Sequence, residues 1–126
     1  MRVLFWGTPE FAAASLRALE LLAGAEGAEL RRRVRKNGER FRAGMTRLGF
    51  DLVRGSHPII PVMLGDATLA TRMADALLAE GVYVIGFSYP VVPKGKARIR
   101  TQMSAAHTDL QIDLAVAAFA KVKERQ

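Results

Sequence analysis

The sequence predicts an α+β fold: a two-layer sandwich in which two or three helices cover a small mixed or antiparallel sheet. Three observations lead there. Apolar residues recur at helical spacing in several stretches, short β-branched runs lie between them, and glycine, proline or a capping residue marks the junctions. At 126 residues, 50% of them hydrophobic, the chain has the size of one domain with a core of its own.

Val3 to Trp6 reads as a short apolar strand closed by a turn at Gly7. Thr8-Pro9-Glu10 then carries helix-start chemistry: a hydroxyl cap, a proline at the first helical position and an acid against the dipole. That helix should run from Pro9 to Ala23 with Leu16, Leu19, Leu22 and Ala23 on one face, until Gly24 and Gly27 break it. A second helix, Ala28 to Leu48, places Leu30, Val34, Phe41, Met45 and Leu48 on its inner side. Asn37-Gly38 should weaken its middle, and Gly49 stands where a C-terminal cap belongs. Phe50 to Val53 is a short strand, Arg54-Gly55-Ser56 a turn, and Pro58 to Leu64 a buried strand. Asp66 caps a third helix that runs to Glu80, with Leu69, Met73, Ala76 and Leu77 facing inward and Gly81 as its stop.

Val82 to Phe87 is the next strand, followed by a loop stiffened by Pro90 and Pro93 and closed by Gly95. Ala97 to Ser104 reads as a further strand. Thr108-x-x-Gln111 is a capping box that opens the last helix, whose buried face is Ile112, Ala115, Val116, Phe119 and Val122. The predicted order is therefore βαα-ββα-ββα, without repeats or linkers.

Composition narrows the function classes. No cysteine is present, which excludes disulfides and thiolate metal sites. No apolar run has the length of a membrane span, and the N-terminus is too short for a secretory signal, so the expectation is a cytoplasmic protein without a membrane segment. The net charge of +7 is concentrated at Arg31, Arg32, Arg33, Arg35, Lys36, Arg40, Arg42 and Arg47, opposed along the chain only by Glu39. Such a stripe can draw a polyanion such as RNA. Without interleaved aromatics or a helix-turn-helix pattern, it reads better as a solvated helix face, so nucleic acid is not the expected partner.

Catalytic motifs are few. His57 and His107 have no second ligand at metal spacing, and no Gly-x-Ser-x-Gly, P-loop or Gly-x-Gly-x-x-Gly pattern occurs. The carboxylates fall mainly in helix caps and outer faces. The run Ala97 to Ser104 carries more. Strand alternation puts Arg98, Arg100, Gln102 and Ser104 on one face and Ile99, Thr101 and Met103 on the other. A strand arginine beside a cleft can clamp a carboxylate with two parallel hydrogen bonds. A protein salt bridge or an exposed sheet face would account for the same pattern, and spacing does not choose between Arg98 and Arg100.

Three ordered segments carry a resemblance: Pro58-Ile59-Ile60-Pro61-Val62-Met63-Leu64-Gly65-Asp66, then Gly86-Phe87-Ser88-Tyr89-Pro90-Val91-Val92-Pro93-Lys94-Gly95, then Ala97-Arg98-Ile99-Arg100-Thr101-Gln102-Met103-Ser104-Ala105-Ala106-His107-Thr108. Together they resemble the small C-terminal domain of the glycine C-acetyltransferases (2-amino-3-ketobutyrate coenzyme A ligases), which are α-oxoamine synthases with the type I pyridoxal-phosphate fold. The likeness extends back through Arg47-Leu48-Gly49-Phe50 to Ala12, which implies that residues 12–126 correspond to the acyltransferase small domain. It implies a homodimeric enzyme that condenses glycine with acetyl-CoA to 2-amino-3-ketobutyrate and free coenzyme A, or runs the reverse in threonine breakdown. It also implies that Arg100 binds the substrate carboxylate, with Arg98 and Tyr89 as further substrate-binding residues, and that the loop beginning at Tyr89 borders the substrate and coenzyme A entrance.

The family's cofactor-binding lysine, ring-stacking residues and phosphate loop belong to its larger domain, and nothing in this sequence matches them. Lys94 and Lys96 are not that lysine. The expectation is a chain that binds no pyridoxal phosphate by itself and is catalytically incomplete, because the carbanion chemistry depends on the cofactor. It would self-associate or meet a missing large domain. Residues 1–11 depart from this family and instead resemble the start of methionyl-tRNA formyltransferase, as a foreign strand and turn would.

Overall fold

The computed structural model describes residues 9–125, so the strand expected at Val3 to Trp6, the turn at Gly7 and the Thr8 cap lie outside the described residues. The elements are α1 (Pro9–Ala23), α2 (Ala25–Arg47), β1 (Asp51–Leu52), β2 (Ile59–Gly65), α3 (Ala67–Ala79), β3 (Ile85–Phe87), β4 (Ala97–Gln102) and α4 (Asp109–Glu124). The four strands form one sheet in the order β1-β2-β4-β3, and every pairing is antiparallel. The α+β class therefore holds, with the sheet antiparallel rather than mixed.

The helix ends form where the capping residues stand. The Asp66 carboxylate accepts from the Leu69 amide at 2.7 Å, and Thr108 and Gln111 exchange both bonds of the capping box. Gly49 and Gly81 take φ of +73° and +81° just past α2 and α3. At each, two backbone amides fold back onto the last turn: Gly49 to Thr46 with Phe50 to Met45, and Gly81 to Leu78 with Val82 to Leu77. A left-handed residue at that position is what lets the helix close on its own carbonyls.

The core lies between one sheet face and α2, α3 and α4. Phe41 and Met45 from α2, Ile60 and Val62 from β2, Leu77 from α3, Ile99 from β4 and Phe119 from α4 are essentially inaccessible. The Phe119 ring meets Phe41 and Phe50 edge-on, with centroids 6.0 and 5.6 Å away. Gly44 of α2 lets α4 come close, since a Cβ there would lie 2.8 Å from a Val116 methyl.

Several sequence expectations change. α2 starts at Ala25 rather than Ala28 and runs unbroken through Asn37-Gly38. Asparagine disfavours helix interiors by competing for backbone groups, but Asn37 is 3% exposed and its amide is engaged elsewhere. Its Nδ2 donates to the carbonyls of Ser104 and His107, each at 2.9 Å. The strand expected over Val82 to Phe87 shrinks to Ile85–Phe87, because β4 offers partners only for these three residues, at Arg100, Ile99 and Arg98. β1 likewise keeps only Asp51 and Leu52, and β4 ends at Gln102. The apolar face expected to bury α1 stays largely uncovered: Leu16 is 46% and Leu22 50% exposed, with Leu19 half-buried. The reason is that α1 packs mainly on α2 and lies beyond the sheet.

Candidate carboxylate-binding face

Alternation along β4 decides the site. Ala97, Ile99 and Thr101 are buried against the helices, while Arg98 is half-buried and Arg100 and Gln102 are exposed on the opposite face. Directly opposed residues of antiparallel strands share a face. The register therefore sets Met63 and Phe87 on either side of Arg98, Pro61 and Ile85 on either side of Arg100, and Ile59 beside Gln102. Among the described residues this sheet face is left open, an apolar floor carrying two arginines.

The two guanidinium groups differ. Arg100 stacks over the Phe87 ring, with its Cζ 4.9 Å from the centroid, which orients its fork while leaving the nitrogens accessible. Arg98 buries its Nε, and no acceptor among the described residues reaches it. None of the salt bridges among the described residues involves either arginine. The protein-salt-bridge account of the pattern is thus set aside, and what stands is a paired cationic surface able to take carboxylate forks.

Tyr89 lies in the loop that leaves β3, two residues past Phe87, after which comes a cis Tyr89–Pro90 bond. The loop is pinned by buried Val92, whose amide donates to the Ser88 carbonyl at 3.1 Å. Tyr89 itself is 63% exposed, and the Lys94 ammonium sits 5.2 Å from its ring centroid. The structure thus brings Arg98 and Arg100 onto one sheet face, and Tyr89 follows two residues after Phe87 of that face. Phe87, which carries Arg100, is a site residue that the sequence does not single out. Its signal is its place in the segment that leads into Tyr89, but the pairing with β4 is needed to give it a role.

Other candidate groups are structural. The Nδ1 atoms of His57 and His107 accept backbone amides from Ile59 and Ser104 at 3.1 and 3.2 Å. No metal-binding group of three or more His, Asp or Glu occurs among the described residues. The basic stripe is largely occupied: Lys36 and Arg40 reach Asp109 and Asp113 of α4, Arg32 pairs with Glu29, and Arg42 donates to the carbonyls of Val53 and His57. Asp113 and Glu80, expected on outer faces, are cross-element anchors. Hydrogen bonding to Arg40 holds the Asp113 carboxyl below its usual range, and Lys121, with Arg125, does the same for Glu80. Arg40 is raised in turn, chiefly by its bond to Asp113.

Clefts lie elsewhere. One of about 470 Å3, floored by Phe41, Ile112 and Phe119, opens between the start of the β3 segment and α4. A second, of about 530 Å3, runs along the α2–α4 groove, and a third, of about 620 Å3, lies beside the α1–α2 turn. Neither arginine and no lysine lines any of the three. All five lysines, at positions 36, 94, 96, 121 and 123, are exposed. An enclosed cradle with a lysine at its heart is what pyridoxal phosphate requires, so the described residues do not by themselves fit that cofactor.

Comparison with known proteins agrees with this architecture. Residues 6–119 match aminotransferase class I and II, and the chain belongs to that family. Within it, the chain is 55% identical over 114 residues to the 2-amino-3-ketobutyrate coenzyme A ligase of Salmonella typhimurium, covering 90% of this chain and 28% of the relative. The chain thus spans just over a quarter of the length of such relatives. Among solved structures, a serine palmitoyltransferase of Sphingomonas wittichii superposes with a TM-score of 0.78 at 28% identity, over 90% of this chain and 28% of that one. A serine palmitoyltransferase from S. paucimobilis with bound PLP superposes with a TM-score of 0.74 at 31% identity, over 79% and 25%. The relatives are pyridoxal-phosphate enzymes, and no helix among the described residues is long and apolar enough to cross a membrane.

Proposed function

We propose that this chain is the substrate-carboxylate-binding small domain of a pyridoxal-phosphate-dependent acyltransferase of the 2-amino-3-ketobutyrate coenzyme A ligase type, acting on glycine and acetyl-CoA. The observation that carries the reading is Arg100: exposed on the open sheet face, oriented by the Phe87 ring and free of any carboxylate among the described residues. A guanidinium so held binds the glycine carboxylate as a fork and fixes the amino acid's orientation. Arg98 lies beside it on the same face, and the Tyr89 loop borders the entrance for substrate and coenzyme A. Pyridoxal phosphate, when present, supplies the electron sink for the carbon–carbon bond chemistry. Its cradle comes from residues other than those described, so the 126-residue chain is inactive alone. Residues 1–11 stand apart from the acyltransferase portion in this reading. The uncovered leucines of α1 make self-association, or contact with a larger domain, part of it.

The test is direct. Pyridoxal phosphate is added to the 126-residue chain, the absorbance of protein-bound cofactor is followed, and glycine-dependent release of coenzyme A from acetyl-CoA is assayed. Neither signal is expected, and turnover would overturn the claim of inactivity. Glycine titrated onto labelled protein should move the guanidinium resonances of Arg100 saturably, beyond the shift given by sodium chloride at the same ionic strength. No glycine shift at Arg100 beyond the chloride control would remove the carboxylate role.

A further inference from the structure

The face that carries Arg100 holds a second cation for which the proposed glycine site has no use. Arg98 sits two residues earlier, so the two side chains rise from the same face of one strand about 7 Å apart. Like charges so placed repel, and nothing acidic among the described residues answers them: Asp51, opposite Met63 on β1, is the nearest of these acids on this face by register, two strands from Arg98. Arg98, flanked by Met63 and Phe87 in the strand register, also buries its Nε without an acceptor among the described residues. A guanidinium left so is unfavourable by itself, since a buried donor without a partner carries its full desolvation penalty. Groups kept against local stability mark places built to meet something else.

We propose that Arg98 is a second carboxylate-binding group, separate from Arg100, and that its ligand is an aspartate or glutamate side chain of an acidic partner polypeptide, different in sequence from this chain, that covers the open sheet face. Two observations favour a side chain over a free metabolite as the ligand of Arg98. The face around it is an apolar sheet surface, suited to being covered by protein: Met63, Pro61 and Phe87 are half-buried and Ile85 is 42% exposed. Its formal charge is positive, with Lys94 and Lys96 in the loop that leads into the same strand, so the covering surface is acidic. Arg98 is then a positioning residue. Its ion pair fixes the strand beside Phe87, and the Phe87 ring keeps the Arg100 fork aimed. The proposal rests on Arg100 as the substrate clamp only for this last role.

The experiment separates the two arginines. The Nε–H signals of Arg98 and Arg100 are followed while sodium acetate is titrated onto wild type, Arg98→Met and Arg100→Met, with sodium chloride as the ionic-strength control. Arg100→Met should keep a saturable acetate shift at Arg98, with a midpoint in the tens of millimolar, and Arg98→Met should keep only the shift at Arg100. Thermal unfolding in chloride should show Arg98→Met melting about 3–5 °C above wild type, because an unsatisfied buried donor has been removed. Acetate should then raise the wild-type midpoint more than that of Arg98→Met.

No acetate effect at Arg98 beyond the chloride control, or a lower melting point for Arg98→Met, refutes the proposal while leaving the Arg100 reading intact. A response at Arg98 with none at Arg100 leaves the proposal standing and removes the substrate clamp. An acetate midpoint below about 1 mM refutes the side-chain source, because a tethered carboxylate already acts at millimolar effective concentration and needs no such affinity. A shift of the Arg98 signal with protein concentration alone makes the covering polypeptide a second copy of this chain and refutes an acidic partner of different sequence.

Discussion

Replacing Asn37 by alanine should loosen the segment that follows β4, although residue 37 lies in the middle of a long helix. The Asn37 side chain is 3% exposed, and its amide nitrogen donates to the Ser104 and His107 carbonyls at 2.9 Å each. Two such bonds contribute about 0.5–1.5 kcal/mol each, so their loss removes about 2 kcal/mol. The Ser104 carbonyl keeps a second donor, the His107 amide at 3.3 Å, which holds the loss to that middle value. Alanine is the better helix former and offsets about 0.5 kcal/mol. The net destabilisation is about 1.5 kcal/mol, a fall in the thermal midpoint of roughly 5–7 °C. Unfolding followed by far-ultraviolet circular dichroism in heat and in urea measures it. Asn37→Asp should fall further at neutral pH, because a carboxylate cannot donate and would face two carbonyl oxygens. An Asn37→Ala protein as stable as wild type, or more so, would refute the reasoning and restore Asn37 as an ordinary weak point of the helix.

Gly38, one residue on, should behave in the opposite way. A Cβ there meets nothing within 4 Å, so Gly38→Ala should gain about 0.5–1 kcal/mol of helix propensity and raise the midpoint in the same assay. Acid should weaken the molecule through two clamps. Asp113 and Glu80 titrate below their usual range when folded, so their contribution is fully present above the unfolded value of about 4 and is lost as pH falls through the lowered folded one. Urea midpoints measured from pH 6 downward should therefore drop below about pH 4, and Asp113→Asn should flatten that part of the curve.

Helix ends and strand faces are legible in the amino-acid sequence itself. Asp66, Thr108-x-x-Gln111, Gly49 and Gly81 place helix ends through contacts within a few residues, and the alternation of Ala97 to Gln102 separates the arginines from Ile99 and Thr101 for the same short-range reason. Resemblance adds the family and selects Arg100. Strand lengths are less legible, because a strand extends only as far as its neighbour supplies partners, and β3 finds only three.

Long-range partners cannot be read from residue types at all. The acids that answer Lys36 and Arg40 stand some seventy positions away on α4, so part of a stripe that looks unopposed along the chain is paired in space. Asn37 carries every local mark of a helix breaker, and only the loop brought against it, from 67 and 70 positions further along the chain, turns it into a clamp. The open sheet face is the same kind of fact. Composition and periodicity determine that β4 has two sides. Which side the helices take, that Phe87 comes to lie beneath Arg100, and that Arg98 is left with a buried nitrogen and no acceptor among the described residues all depend on strand register and packing, which exist only once the chain has folded.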